Sequence, residues 1–172
     1  FINYNYKSEG KLGYFKIEIA KVYTPLYFDN KKKLLCITSA MNLIRILTAE
    51  SQKNLKIYKL IDNFYKILEL DDWIKNYIFW ELELFKVLGY DLKFKDLTSV
   101  EIIGNQSQYV TKSPTGKKII PNFLIDKSKN PEDLKNLLNG LRLVGDYLDK
   151  TILKPNNLTH PVSRIQFINT LK

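Results

Sequence analysis

The stretch Trp80–Phe94, WELELFKVLGYDLKF, carries a change of period within fifteen residues. Upstream and into it, Trp73, Ile74, Tyr77, Ile78, Leu82, Phe85 and Leu88 recur at three- and four-residue steps, which places them on one stripe of a 3.6-residue helix. Gly89 follows, and glycine can take a positive φ without the steric penalty of a Cβ, so the spacing predicts a helix that stops there. Beyond it Tyr90, Leu92 and Phe94 alternate with Asp91, Lys93 and Lys95, the period of an extended segment with one face buried. The stretch is predicted to be a helix-to-strand hinge.

Working outward, helical periodicity covers about Asp29 to Thr48, Asn54 to Leu70 and Asp72 to Leu88. Asp29, Asn54 and Asp72 suit N-terminal positions, and the short links predict that neighbouring helices pack as antiparallel hairpins. FINYNYK and YFKIEIAKVY alternate in character on either side of SEGKLG and predict a β-hairpin. A lone hairpin is marginal in water, so these strands need further partners or the helices. From Thr98 to Ile120 the helical pattern breaks into β-rich runs around GNQSQ and SPTG, a small β excursion within a helical body. A helix is then expected from Asn130 as N-cap and Pro131 as first helical residue, with Pro155 as a stop, and a last helix over Pro161 to Leu171. The fold class is mainly α with a minor β part, α+β.

Composition excludes several functions. At 172 residues and 45% hydrophobic content the chain can bury a core, and no run approaches the roughly 18 apolar residues of a membrane span. With no signal-peptide pattern at Phe1, a cytoplasmic protein is expected, and a first residue other than Met suggests a processed or truncated chain. Cys36, among Leu34, Leu35 and Ile37, reads as a buried apolar thiol. One Cys and one His, 124 positions apart, cannot make a zinc site of the common kind. His160 precedes Pro161 at a helix start and reads as a surface or capping residue. Glu81 and Glu83 diverge by about 200° on a helix and cannot act as a pair, so Glu81 reads as a helix-surface or interhelix polar contact. No phosphate-cradling glycine loop occurs, and nothing assembles an active site, so no enzymatic activity is expected. The net charge of +9 comes mostly from lysine, 24 of 27 basic residues, which an AT-rich genome would also produce. Its distribution is more informative: residues 1–53 hold nine basic and four acidic groups and 93–129 hold seven and three, whereas 54–92 hold five and seven.

The aromatic–Glu–Leu–x–Leu–Phe–x–x–Leu–Gly–Tyr run within 80–90 resembles the hallmark helix of the RecO recombination-mediator family. The hairpin of residues 1–22 is similar to the closing strands of that family's OB-fold, and Leu34 to Glu50 to its first helix. YVTKSPTGKKI resembles its β-hairpin, and HPVSRIQFINTL its C-terminal helix through Ser163 and Arg164. The resemblance implies an OB-fold remnant over 1–25, its N-terminal part missing, and a complete helical domain over 26–172 with a β insertion at about 97–121. Two departures stand out. Some members hold zinc with four cysteines around the insertion, but Leu97 occupies the first such position, so the insertion is expected to be zinc-less and no cofactor is implied. Many members place basic residues just before the aromatic–Glu pair, where this chain has Ile78 and Phe79.

The resemblance further implies a cytoplasmic, nucleoid-associated DNA repair protein that binds single-stranded DNA, anneals complementary strands and, with RecR and the single-strand-binding protein SSB, helps load the RecA recombinase. Such work needs cations for phosphates and aromatic platforms for bases. Candidate DNA contacts are Lys7, Lys11, Lys16 and Lys21 beside Tyr4, Tyr6 and Tyr14, and Lys112, Lys117 and Lys118 beside Tyr109. Solvated lysines and strand-packing tyrosines would give the same pattern. For the acidic, apolar-ended tail of SSB, the candidate cations are Lys75, Arg142 and Arg164, the last of which could instead brace the final helix. The alternative function is a non-catalytic helical adaptor for an acidic protein or peptide, without direct DNA contact.

Overall fold

The computed structural model describes residues 2–5, 16–19, 21–50, 52–103, 106–113 and 116–172. Six α-helices, together with 3-10 and π-helical turns, carry most of the described chain, with one two-stranded and one three-stranded antiparallel sheet, so the α+β expectation holds.

At the N-terminus β1 (Ile2–Asn5) pairs with β2 (Lys16–Ile19) in the register Ile2↔Ile19 to Asn5↔Lys16. The SEGKLG turn lies outside the described residues. After a 3-10 turn at Thr24–Tyr27 comes α1 (Lys31–Leu47), capped by Asn30 rather than by Asp29: the Asn30 Oδ1 accepts from the Lys33 backbone N–H at 3.1 Å. Asn54 caps α2 (Leu55–Ile67) in the same way through Ile57, as the sequence predicts. α3 (Trp73–Val87) is buried around most of its circumference, through Tyr77, Ile78, Trp80, Glu81, Leu84 and Phe85, and forms the centre of the bundle. α2 and α3 pack together, tied by the Trp80 indole N–H donating to the Leu60 carbonyl at 2.9 Å. The hairpin expectation does not extend to α1. Its principal helical neighbour is α6 (Val162–Thr170), joined to it by the Asn42 amide donating to Ser163 Oγ at 2.9 Å.

The helix ends where the opening stretch predicts. Gly89 has φ +94°, its N–H donates to Lys86 O, and the Tyr90 N–H donates back to Phe85 O at 2.8 Å, the two bonds of a Schellman motif. The predicted strand after it does not form. Residues 90–93 are irregular and Phe94–Leu97 make a 3-10 turn, because among the described residues no neighbouring strand supplies ladder partners there. The alternation still governs facing: Phe94 is buried, Tyr90 and Leu92 are half-buried, and Asp91, Lys93 and Lys95 are exposed.

The insertion is a three-stranded meander, β3 (Ser99–Ile103), β4 (Gln106–Ser113) and β5 (Gly116–Ile120), in the order β3-β4-β5. Val110 and Ile120 are buried, and Tyr109, opposite Ile120, packs against the core. α4 (Asn122–Ile125) is one turn that buries Phe123, Leu124 and Ile125. α5 starts later than expected, at Leu134, and runs to Leu148. The Asp133 carboxylate accepts from the Asn136 N–H at 2.6 Å and so takes the capping role expected of Asn130. Asn130 instead accepts from Lys75 Nζ at 3.1 Å. Past Leu148 the chain widens into a π-helical turn, Asp149–Leu153, and tightens into a 3-10 turn, Lys154–Asn156, which contains Pro155. The core is aromatic: Phe64 and Trp80 lie 5.1 Å apart, and Tyr77 meets Phe167 edge-on at 5.3 Å. Burying each such ring contributes about 1.5–3 kcal/mol.

Candidate functional site

The turn at Gly89 brings the segment after α3 back alongside that helix, and a cleft opens between them. Its apolar lining is Phe79 and Leu82 from α3, Leu92 and Phe94 from the returning segment, and Leu124 and Ile125 from α4. Phe79 is fixed edge-on against Phe123, ring centres 6.1 Å apart. Lys127 stands over the Phe79 ring, its Nζ 5.0 Å from the centroid. Lys86, Lys93 and Lys95 complete a cationic margin that also holds Glu83, Asp91 and Asp96. Two of these lysines are only loosely paired, Lys86 to Glu83 at 3.9 Å and Lys93 to Asp91 at 3.8 Å, with all four side chains well exposed. Such pairs are worth at most about 1 kcal/mol and yield readily to a competing anion. The arrangement can seat an apolar group with neighbouring carboxylates; it holds no nucleophile–base pair.

The residues expected to form a cationic rim for an acidic tail are not brought together. Arg164 is 3% exposed and donates from Nε and Nη2 to the two oxygens of the fully buried Glu81, at 2.9 and 2.8 Å, with a third bond from Nη2 to the Leu141 carbonyl. It therefore braces α6 against α3 and α5, and Glu81 is an interhelix contact. Lys75 is buried in all but a small part and tied to Asn130. Arg142 is exposed on α5 and is absent from the cleft lining. Ile78 belongs to the core, whereas Phe79 lines the cleft. The cation beside Phe79 is Lys127, 48 positions on. No local pattern announces it.

Of the candidate DNA contacts, Lys7 and Lys11 lie outside the described residues, as do Tyr6 and Tyr14. Lys16 ends the paired part of β2 opposite Asn5. Lys21 is exposed and lies 4.3 Å over the Tyr23 ring, which itself stacks on Tyr65 at 4.4 Å. Lys112 and Lys117 are paired positions of β4 and β5. The Lys117 ammonium bonds Glu101 at 2.8 Å, and Lys118 bonds Asp146 of α5, fastening the sheet to the bundle. Lys118 is thus partly a structural residue.

Burial, and then the Glu81 carboxylate, push the Cys36 thiol and the Tyr77 phenol well above their ordinary values, and Tyr77 shares a hydrogen bond with Ser39 at 3.1 Å. His160 is half-buried rather than a surface cap; burial and then Arg164 lower its pKa and favour the neutral ring. Among the described residues no group of three His, Cys, Asp or Glu could hold a metal ion, and no helix is long and apolar enough to cross a membrane.

Comparison with known proteins finds chains that share one name. The chain is 20% identical over 173 residues to "DNA repair protein RecO" of Rhodospirillum centenum, covering 92% of this chain and 68% of that protein. It is 26% identical over 166 residues to the protein of that name from Orientia tsutsugamushi, with 89% and 68% covered. The chain is thus similar to RecO proteins over most of its length. With the Rickettsia africae RecO the identity is 28% over 109 residues, 63% of this chain, and the match spans 45% of that relative's length. No family model matches, and no solved structure matches.

Proposed function

We propose that this chain works in DNA repair as a RecO-type mediator, binding single-stranded DNA, annealing complementary strands and helping RecR and SSB to load the RecA recombinase, without catalysis of its own. The support is the name borne by its relatives, DNA repair protein RecO, over most of the chain. The observation that carries the partner assignment is the cleft beside α3, whose Phe79 and Leu82 floor and lysine margin suit the acidic, apolar-ended tail of SSB. The apolar end would enter over Leu82 while tail carboxylates meet Lys127, Lys86 and Lys93.

Fluorescence anisotropy with a labelled tail peptide tests this. A charge-assisted contact is worth about 1.5–3 kcal/mol when well formed, so Lys127→Ala should weaken binding roughly tenfold or more, and Leu82→Asp should abolish it. Arg142→Ala, outside the cleft, should leave affinity unchanged. Equal effects at Lys127 and Arg142, or none at either, would remove the cleft from the reading. The pairing of Lys117 and Lys118 with carboxylates favours the second reading, an adaptor for an acidic peptide without DNA contact. Peptide binding in the absence of any salt-dependent DNA binding would establish that second reading.

A further inference from the structure

A second groove lies on the other flank of α3, where it runs beside α2. Its walls carry Lys56, Lys59 and Asn63 from α2 and Glu83 and Lys86 from α3, and its floor is only Leu60 and Val87. Lys56 and Lys59 are three apart and so share one helix face. Both are exposed, and neither takes part in an ion pair among the described residues, whereas Lys66 on the same helix pairs with Asp62. Glu83 is the one carboxylate in the lining and is already engaged, loosely, by Lys86. The groove is therefore a net-cationic trough in the part of the sequence whose overall charge is negative, which is why counting charges along the chain passes over it. Leu55 and Tyr58 stand exposed on the adjoining face of α2, 59% and 54% accessible.

We propose that this α2–α3 groove carries the phosphate backbone of a single-stranded nucleic acid, with Lys56 and Lys59 as its principal phosphate contacts and Tyr58 as a neighbouring surface for a base. The inference rests on the reading of the chain as a single-strand-binding protein and adds a track on the helical body to the lysines of the N-terminal hairpin and the β insertion. The chemistry separates this groove from the cleft. A tail with an apolar end needs a pocket for that end, and Leu60 is itself buried here, so the floor offers none. A phosphodiester chain needs exposed cations free of competing carboxylates, with aromatic faces at hand for its bases. Lys86 lines both sites and joins them, so a strand in the groove would lie against a peptide in the cleft.

The test is anisotropy of a labelled oligo-dT against the whole chain over a series of salt concentrations. On a single strand each lost phosphate contact lowers the log–log salt slope by roughly 0.7, so Lys56→Ala/Lys59→Ala should lower it by about 1.4. Lys135→Ala/Lys150→Ala removes the same charge from exposed sites elsewhere and should leave the slope unchanged. Tyr58→Ala should weaken binding with the slope preserved. Binding that persists with an unaltered slope in Lys56→Ala/Lys59→Ala overturns the groove alone. An equal fall in both double variants overturns it too, as a net-charge effect. Absence of any oligo-dT binding by the parent chain overturns the single-strand reading together with the groove. Loss of tail-peptide affinity in Lys56→Ala/Lys59→Ala with DNA binding intact would assign the groove to the peptide and overturn the proposal.

Discussion

Arg164 and Glu81 show how far one side chain's surroundings govern its role. Both are almost fully removed from water, and the bidentate geometry with the added Leu141 carbonyl leaves each charge well compensated. A buried pair of this kind contributes little net stability against an apolar replacement, but removing one partner leaves the other charge buried and unpaired. Arg164→Met should therefore destabilise the fold by about 3–5 kcal/mol, while Glu81→Leu/Arg164→Met should recover most of that loss. Denaturant unfolding of the two variants measures it. A single variant within about 1 kcal/mol of the parent would mean that water reaches Glu81. Lysine is no substitute at this position, since it cannot present the planar fork that meets both carboxylate oxygens.

At the scale of an element, α5 is built to be approached closely. Glycine inside a helix usually weakens it, and alanine in its place would ordinarily stabilise by about 0.5–1 kcal/mol. Here the sign reverses. A Cβ at Gly145 would lie 2.6 Å from Arg164 Nη1, and one at Gly140 would lie 2.7 Å from Phe123 Cζ. The missing methyl at 145 is the space through which the guanidinium passes to Leu141 and Glu81. Gly145→Ala must displace that bridge or open α6 from α5, and should destabilise by about 1–3 kcal/mol, as overpacking does. Thermal unfolding checks this, and an unchanged or raised Tm would show that α6 can shift without loss. α3 depends on a third glycine for a different reason: Gly89 takes the positive φ that ends the helix and sends the chain back to form the cleft.

For the whole molecule the β insertion poses the question of attachment. The resemblance allows for cysteines and zinc in such an insertion, whereas here Ile120 is buried, Tyr109 packs on the core and Lys118 reaches Asp146. Ile120, at about 1.5–3 kcal/mol for a fully buried side chain, the half-buried Tyr109 on the same face of the sheet and the Lys118–Asp146 contact together fasten the sheet to the bundle. Purified protein should contain no stoichiometric zinc by metal analysis, and a chelator should leave its Tm unchanged. A chelator-induced fall in Tm would show a metal-dependent fold.

The sequence by itself determined what depends on near neighbours: the helical segments, the Asn54 cap, the stop at Gly89, the antiparallel pairing of β1 with β2 and the β character of the insertion. These follow from periodicity, side-chain reach to adjacent backbone groups and the conformational freedom of glycine, all of which act within a few residues. The RecO resemblance was legible for the same reason, since it rests on the order of such segments. Tertiary structure alone decided which charges face water. Arg164 and Lys127 are each one cation on a lysine-rich chain, yet packing buries the first against Glu81 and stands the second over Phe79. It likewise paired α1 with α6 across 121 positions, gave the capping of α5 to Asp133 so that Asn130 could meet Lys75, and set Lys56 and Lys59 beside Lys86. These outcomes depend on helix–helix contacts between distant segments, which leave no periodic trace along the chain.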